Sequence, residues 1–387
     1  MAVGPGAVGG SGRNSLSPIF LEHFMPTNLV VNEDLEYIHQ IVGQRKEWKE
    51  ATIIVTGCAG FLGYYIMLYL VRYADKLSLK KIIGLDNFML GKPPWLEQLA
   101  RAHQGILDLI TFDISRDRLD QVAGADQASY VIHGASVASP TFYRQYPLET
   151  IDANIWGLRN LLEYYRGSTS LRGLLFFSSS EIYGDPGPTD IPTAEAYRGY
   201  VSCVGPRACY DESKRFGETL CYVFSRHYNL PITIARPFNN FGPGMRLEDL
   251  RLPADFARCV LEQRDIIILS DGTPTRTFCY VADAVAGYLL CLLYPSFDIF
   301  NIGTESPEIS VREFGRIYQA AAKELFLYDG DVVYQQSTDS DYLVDNPNRR
   351  CPVISKAREK LGYNPMISVE EGVRRYLRHI HTEHRSS

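Results

Sequence analysis

Ala51-Thr-Ile-Ile-Val-Thr56-Gly57-Cys-Ala-Gly60-Phe61-Leu62-Gly63 is the stretch on which the fold turns. Its first six residues, rich in β-branched side chains, read as a short buried strand. A glycine-rich turn follows and opens onto an apolar stretch with helical character, Tyr64 to Tyr73. Between a strand and a helix, glycine permits a tight turn and lets backbone N–H groups approach a pyrophosphate at the helix N-terminus. Three glycines can also do no more than tighten a turn, so the context has to decide. Asp86 closes the next apolar run, Lys81-Ile-Ile-Gly-Leu-Asp86, about 20 residues further on, as the dinucleotide motif requires. A carboxylate there can accept hydrogen bonds from the adenosine ribose hydroxyls and would repel a 2′-phosphate. Gly57, Gly60, Phe61, Leu62, Gly63, Asp86 and its neighbour Asn87 therefore read as an NAD site.

Outward from this turn the texture alternates. Leu109 to Asp113, Tyr130 to Ala135, Leu174 to Ser179 and Ile232 to Arg236 are further strand candidates, the last two each following a helical segment. Repeated strand–helix units with apolar strands predict a parallel sheet covered on both faces. Asp113, with Ile114, ends the third strand and can meet the adenine amine, although a carboxylate at a strand end is often only a loop cap. Ala135 and Ser136 end the fourth and can line the nicotinamide side. After Pro237 the chain breaks into Pro/Gly-rich loops with short elements. The expected fold is α/β: a Rossmann-type doubly wound parallel sheet with a smaller C-terminal α/β substrate lobe. The expected boundaries are a disordered tail over 1–15 and a helical extension over 16–50. An NAD-binding domain takes 51–236 plus about 276–302, and a nucleotide-sugar lobe takes 237–275 plus about 303–380. Within the extension, Asn32-Glu33-Asp34 ahead of Leu35, Ile38, Ile41 and Val42 resembles a capped amphipathic helix, an appendage to the core.

Composition narrows the function. Of 387 residues, 45% are hydrophobic and 22% charged, enough apolar material for a sizeable core and no case for general disorder. A net charge of -6 argues against nucleic acid as a partner, because phosphate backbones need concentrated Lys and Arg. No apolar run reaches the ~18 residues of a membrane span; the best, Ala284 to Tyr294, is too short. The N-terminus lacks both a basic start and an apolar h-region, so no export signal is read there. The eight cysteines are scattered singly, without C-x-x-C pairs, so neither zinc nor disulfides are expected. They read as free thiols in a cytoplasmic protein.

Tyr210-Asp-Glu-Ser-Lys214 sets a phenol and an ammonium on one helix face. Such a Lys, with a positively charged nicotinamide, can lower the phenol pKa so that Tyr210 takes a sugar hydroxyl's proton while the carbon gives up hydride. With 25 tyrosines in the chain the spacing alone proves little. Ser178-Ser179-Ser180-Glu181-Ile-Tyr-Gly184, at another strand end, adds hydroxyls and a carboxylate at the same sheet edge.

Together these motifs resemble the extended short-chain dehydrogenase/reductase superfamily: T-G-x-x-G-x-x-G at Thr56 to Gly63, Y-x-x-x-K at Tyr210 to Lys214, and R-x-x-N-x-x-G-P at Arg236 to Pro243. Within it the chain is similar to the UDP-glucuronate decarboxylases. Ala135-Ser-Val-Ala-Ser-Pro140 with Tyr143, Gly205-Pro-Arg-Ala-Cys-Tyr210-Asp-Glu-Ser-Lys-Arg215, and Thr275-Arg276-Thr-Phe-Cys-Tyr280-Val carry that resemblance. It implies oxidation at C4 of UDP-glucuronate, CO2 loss from the resulting β-keto acid, protonation at C5, and return of the hydride to give UDP-xylose. On that resemblance Tyr210 is the base, Ser179 a second donor to the C4 oxygen, and Lys214 the residue that holds the nicotinamide ribose. Glu181 orients the sugar and a water, and Asn154 joins the cofactor site. Tyr143, Asn239, Arg251, Arg276 and Arg350 attend the substrate's diphosphate, nucleotide and carboxylate, since Arg forks suit both anions.

Two positions depart from the pattern. Asp152 stands where many decarboxylases have Lys, and Val353 where Asp is usual. The related 4,6-dehydratases carry Thr-Asp-Glu where this chain has Ser179-Ser180-Glu181, and Ser180 is a poor proton donor to a leaving hydroxyl. A 4-epimerase or 4,6-dehydratase remains an alternative, as does a catalytically silent, NAD-responsive binding protein. A homodimer is implied by resemblance only.

Overall fold

The computed structural model describes Met1 and residues 28–341 and 344–386. Apart from Met1, the expected tail over 1–15 lies outside the described residues, as does the extension before Asn28. Seven strands form one parallel sheet: β1 (Thr52–Thr56), β2 (Lys81–Asp86), β3 (Leu107–Thr111), β4 (Tyr130–His133), β5 (Gly173–Phe177), β6 (Ile232–Pro237) and β7 (Asp298–Ile302). Their order is β7-β6-β5-β4-β1-β2-β3. The winding reverses between β1 and β4, whose ends pair Thr56 with His133. In open α/β sheets that reversal leaves a crevice at the strands' carboxyl ends, where ligands bind.

Alternation along β1 shows why the sheet needs helices on both sides. Ile53 and Val55 enter one core, Ile54 the other, and all three are fully buried or nearly so. The apolar run after Ala284 belongs to α4 (Val281–Leu292), buried along its whole length against the sheet. Among the described residues no helix is long and apolar enough to cross a membrane. β3, β4 and β5 end two residues earlier than the sequence suggests. Asp113, Ala135, Ser136, Ser178 and Ser179 therefore leave the sheet and turn over its edge. β7 completes the sheet beside β6, although its sequence, Asp-Ile-Phe-Asn-Ile, shows too little contrast to stand out.

The first helix corrects the sequence reading. α1 runs from Leu29 to Val42, and its N-cap is Asn28, whose side chain accepts from the Val30 N–H, not Asn32. Val30 and Val31 bury the first turn, which shifts the start of the helix upstream. The element is no appendage. Val31, Leu35, Ile38 and Val42 join the main core with Trp48, and Asp34 is completely buried. Its carboxylate accepts from the phenols of Tyr65 and Tyr280 (both 2.6 Å) and from Arg375 (2.7 Å). One helical turn on, Tyr37 donates to Asp283 at the start of α4.

Beyond β6, Gly244, Arg246, Asp249 and Arg251 reach the crevice. A three-stranded patch orders Ile309–Ser310, Thr275–Arg276 and Arg349–Arg350, and its register sets Arg276 beside Arg350.

Candidate active site

The glycine turn is built as a cradle. Gly57 has φ +70°, and a Cβ there would lie 2.6 Å from the backbone of Gly134 and Ala135. A Cβ on Gly63 would lie 2.5 Å from the Cys58 carbonyl oxygen, so this glycine seats helix α2 (Phe61–Arg72) on the turn. Gly60 is the residue before that helix. Above the turn opens a cleft of about 1270 Å³, counting its mouth. Gly57, Gly60, Phe61, Asp86, Asn87, Asp113, Ile114, Ala135, Ser136 and Arg251 all line it. Leu62 and Gly63 stand behind it in the helix. Asp86 accepts from the Ala59 N–H (3.0 Å) and the Phe88 N–H (2.8 Å), so the acid also shapes the loop it closes; burial raises its pKa. Asp113 does cap its loop, accepting from the Ser115 N–H (2.9 Å) and hydroxyl (2.6 Å), while still facing the cleft. Two buried polar atoms here have no partner: the Ser136 hydroxyl and Asn154 Oδ1, whose Nδ2 donates to Ser213. A strand–turn–helix with no room for a Cβ at Gly57 or Gly63, an acid at the second strand and an unspent hydroxyl just past the fourth together suit a dinucleotide.

At the neighbouring strand end, helix α3 (Ala208–Tyr228) carries Tyr210 and Lys214, 6% and 3% exposed. Lys214 Nζ donates to the Phe177 carbonyl (2.8 Å) and lies 5.7 Å from the Tyr210 ring centre. Burial lowers the Lys214 pKa to about 7. Burial also pushes the Tyr210 phenol up to about 12, against a hydrogen bond from Ser179 that favours its ionised form. The expected lowering of Tyr210 is therefore absent from the chain's own groups, because desolvation of a buried phenolate outweighs them. Tyr143 stacks almost flat on Tyr210, ring centres 5.1 Å apart and planes 13° from parallel; its hydroxyl is buried without a partner.

Glu181 lies between two guanidiniums, Arg207 on one carboxylate oxygen and Arg350 on the other. Burial would raise its carboxyl, but these arginines outweigh it and hold the group below the usual range. Arg207 also meets Asp211 (3.4 Å) and lies over the Tyr143 ring. Burial and the nearby Glu181 charge push Asp211 the other way, upward. Arg350, 4% exposed, donates to Ser180 Oγ (3.2 Å) and the Gly184 carbonyl (3.3 Å). Arg276 is spent differently from its expected role as a free fork. Its terminal nitrogens donate to the carbonyls of Thr275 (2.7 Å), Asn348 (3.1 Å) and Pro347 (2.6 Å), which fixes the segment carrying Arg350. Asn239, with φ +42°, donates to the Thr277 carbonyl (2.9 Å). Arg251 makes a fork to Asp249 (2.9 and 2.6 Å) and covers the Phe61 ring. Sequence reasoning gave no role to Arg207, Asp211 or Arg246, although the first two sit in a quoted motif. Arg246 lines the cleft and donates to the Gly91 carbonyl (3.4 Å) from the far side.

Cofactor cradle, phenol–ammonium pair and serine–glutamate loop at one sheet edge define a nicotinamide-dependent enzyme acting on a hydroxyl-bearing carbon. The chain belongs to the NAD dependent epimerase/dehydratase family, whose model matches residues 53–303; its cofactor is NAD. It is 34% identical to UDP-glucuronic acid decarboxylase 1 of Arabidopsis thaliana, over 85% of this chain and 69% of that one. It is 32% identical to UDP-glucuronic acid decarboxylase 1 of Xenopus tropicalis, over 86% of this chain and 72% of that one. Among solved structures it resembles UDP-glucose 4-epimerase from Thermotoga maritima, with UDP-glucose, at TM-score 0.72 and 26% identity, covering 86% of this chain and 99% of the other.

Proposed function

We propose that this chain decarboxylates UDP-glucuronate to UDP-xylose. The observation that carries the proposal is the cluster of Arg207, Arg276 and Arg350 around Glu181, beside Tyr210. Guanidinium forks suit an anionic sugar and are wasted on a neutral one, although Asp211 and Asp185 also face this cluster and offset part of its charge. The decarboxylase names of the relatives point the same way. A 4,6-dehydratase reading is disfavoured because Ser180, held by Arg350, cannot serve as the acid for a departing C6 hydroxyl.

In this reading bound NAD would supply a reversible hydride acceptor for C4 and a positive charge opposing the desolvation that raises Tyr210. Gly57, Asp86 and Asp113 would hold the dinucleotide, and Asn154 and Lys214 would serve its nicotinamide half. Tyr210 takes the proton of the C4 hydroxyl and later gives it back. Ser179 and Tyr210 donate to the C4 oxygen while charge collects there on CO2 loss, an oxyanion-type role. Glu181, kept ionised by its arginines, orients the water that protonates C5. Asn239, Arg251, Arg276 and Arg350 line the path of the diphosphate and sugar, with Tyr143 packing on the base.

The proposal extends to a homodimer working in the cytoplasm. Trp156, Phe216, Tyr222 and Val223 are exposed apolar side chains on helices that pack side by side, which supports a shared interface. The eight cysteines are all unpaired, as suits a reducing compartment. To test the activity, the NAD-loaded protein is given UDP-glucuronate and the products are separated. CO2 and a UDP-pentose are expected; UDP-galacturonate with the carboxylate intact would mean an epimerase.

A further inference from the structure

The geometry points to Arg207 as the residue that selects a sugar carboxylate over a hydroxymethyl group, an inference that rests on the proposed activity. In a hexuronate, C6 is two bonds from C4. A sugar whose C4 oxygen meets Tyr210 and Ser179 must therefore set its carboxylate close to whatever surrounds that pair. Of the three arginines there, two are already committed. Both terminal nitrogens of Arg276 donate to backbone carbonyls, and those of Arg350 donate to Glu181, Ser180 and Gly184.

Arg207 differs. Its Nη2 pairs with Glu181 and its Nε with Asp211, which leaves Nη1 without a protein acceptor among the described residues. The guanidinium sits over Tyr143, the ring stacked on Tyr210, and so lies one ring away from the base. Its side chain is only 11% exposed, so it is largely desolvated before a ligand arrives. A largely desolvated guanidinium with an unused donor gains a charge-assisted hydrogen bond from a carboxylate and little from a hydroxymethyl group. Glu181 keeps both Arg207 Nη2 and Arg350 Nη1 while the ligand takes the unused Nη1 of Arg207. Arg207 discriminates, while Arg276 and Arg350 build the frame.

The test measures dissociation constants of UDP-glucuronate and UDP-glucose, ligands that differ only at C6, on the NAD-loaded full chain. Wild type is expected to prefer the acid. Arg207→Gln should weaken UDP-glucuronate about 10- to 100-fold and leave UDP-glucose and NAD retention unchanged. Arg207→Lys, which keeps the charge and loses the planar fork, should recover part of the preference. An equal loss for both ligands would overturn the inference, since it would mean that Arg207 only props the Tyr143–Tyr210 stack. An undiminished preference in Arg207→Gln would also overturn it, while wild-type CO2 release left the proposed activity standing. A wild type that neither prefers the acid nor releases CO2 would overturn both.

Discussion

Tyr210 shows how a side chain's surroundings outrank its motif. The Tyr–Lys spacing was legible because four residues along a helix is a fixed geometry. The pKa values were not, because they depend on burial, which pushes Tyr210 up to about 12 and Lys214 down to about 7. Tyr210→Phe should lower turnover of UDP-glucuronate about 10²- to 10⁴-fold while leaving bound NAD unchanged, read by single-turnover absorbance at the reduced-nicotinamide band. The arginines divided in the same way. Arg350 was named on the resemblance alone. Two of the carbonyl partners of Arg276, Pro347 and Asn348, are distant in sequence, and Arg207 meets Glu181 only once the fold has closed.

Among the elements, the glycine turn was read correctly because its requirement is local: a positive φ and no room for a Cβ. Gly57→Ala should therefore strip NAD from the purified protein and lower its melting temperature, since the new methyl meets backbone on both counts. Helix α1 was misread because the sequence shows its charges but not their partners. Asp34, taken as part of a cap, is buried against Tyr65, Tyr280 and Arg375 and its carboxyl is raised to about 6, by burial first. A folded pKa above the unfolded one means that the native state holds more protons between about pH 4 and 6. Stability should thus fall as pH rises through that window, by about 3 kcal/mol from this group. Asp34→Asn lacks the titration. Its stability deficit relative to wild type in urea unfolding should therefore shrink by about that amount between pH 4 and pH 7. A gap that stays constant would mean that Asp34 does not titrate in this window.

For the molecule as a whole, the repeated strand–helix texture sufficed to predict the parallel sheet, because doubly covered strands must be apolar throughout. It gave neither the strand order nor β7, which depend on pairing partners far apart in sequence. The apolar patch on the paired helices was equally invisible. The proposed homodimer predicts that wild type sediments as a dimer and Phe216→Glu combined with Val223→Glu as a monomer, with the fold persisting by circular dichroism; a monomeric wild type would contradict it. The central claim is that C5 loses CO2 and takes a solvent proton while C4 keeps its own hydrogen. Turnover of UDP-glucuronate in D2O, followed by proton NMR, tests it directly. The account predicts UDP-xylose with one deuterium at C5 and protium at C4; a product that retains C6 and carries no deuterium at C5 would contradict it.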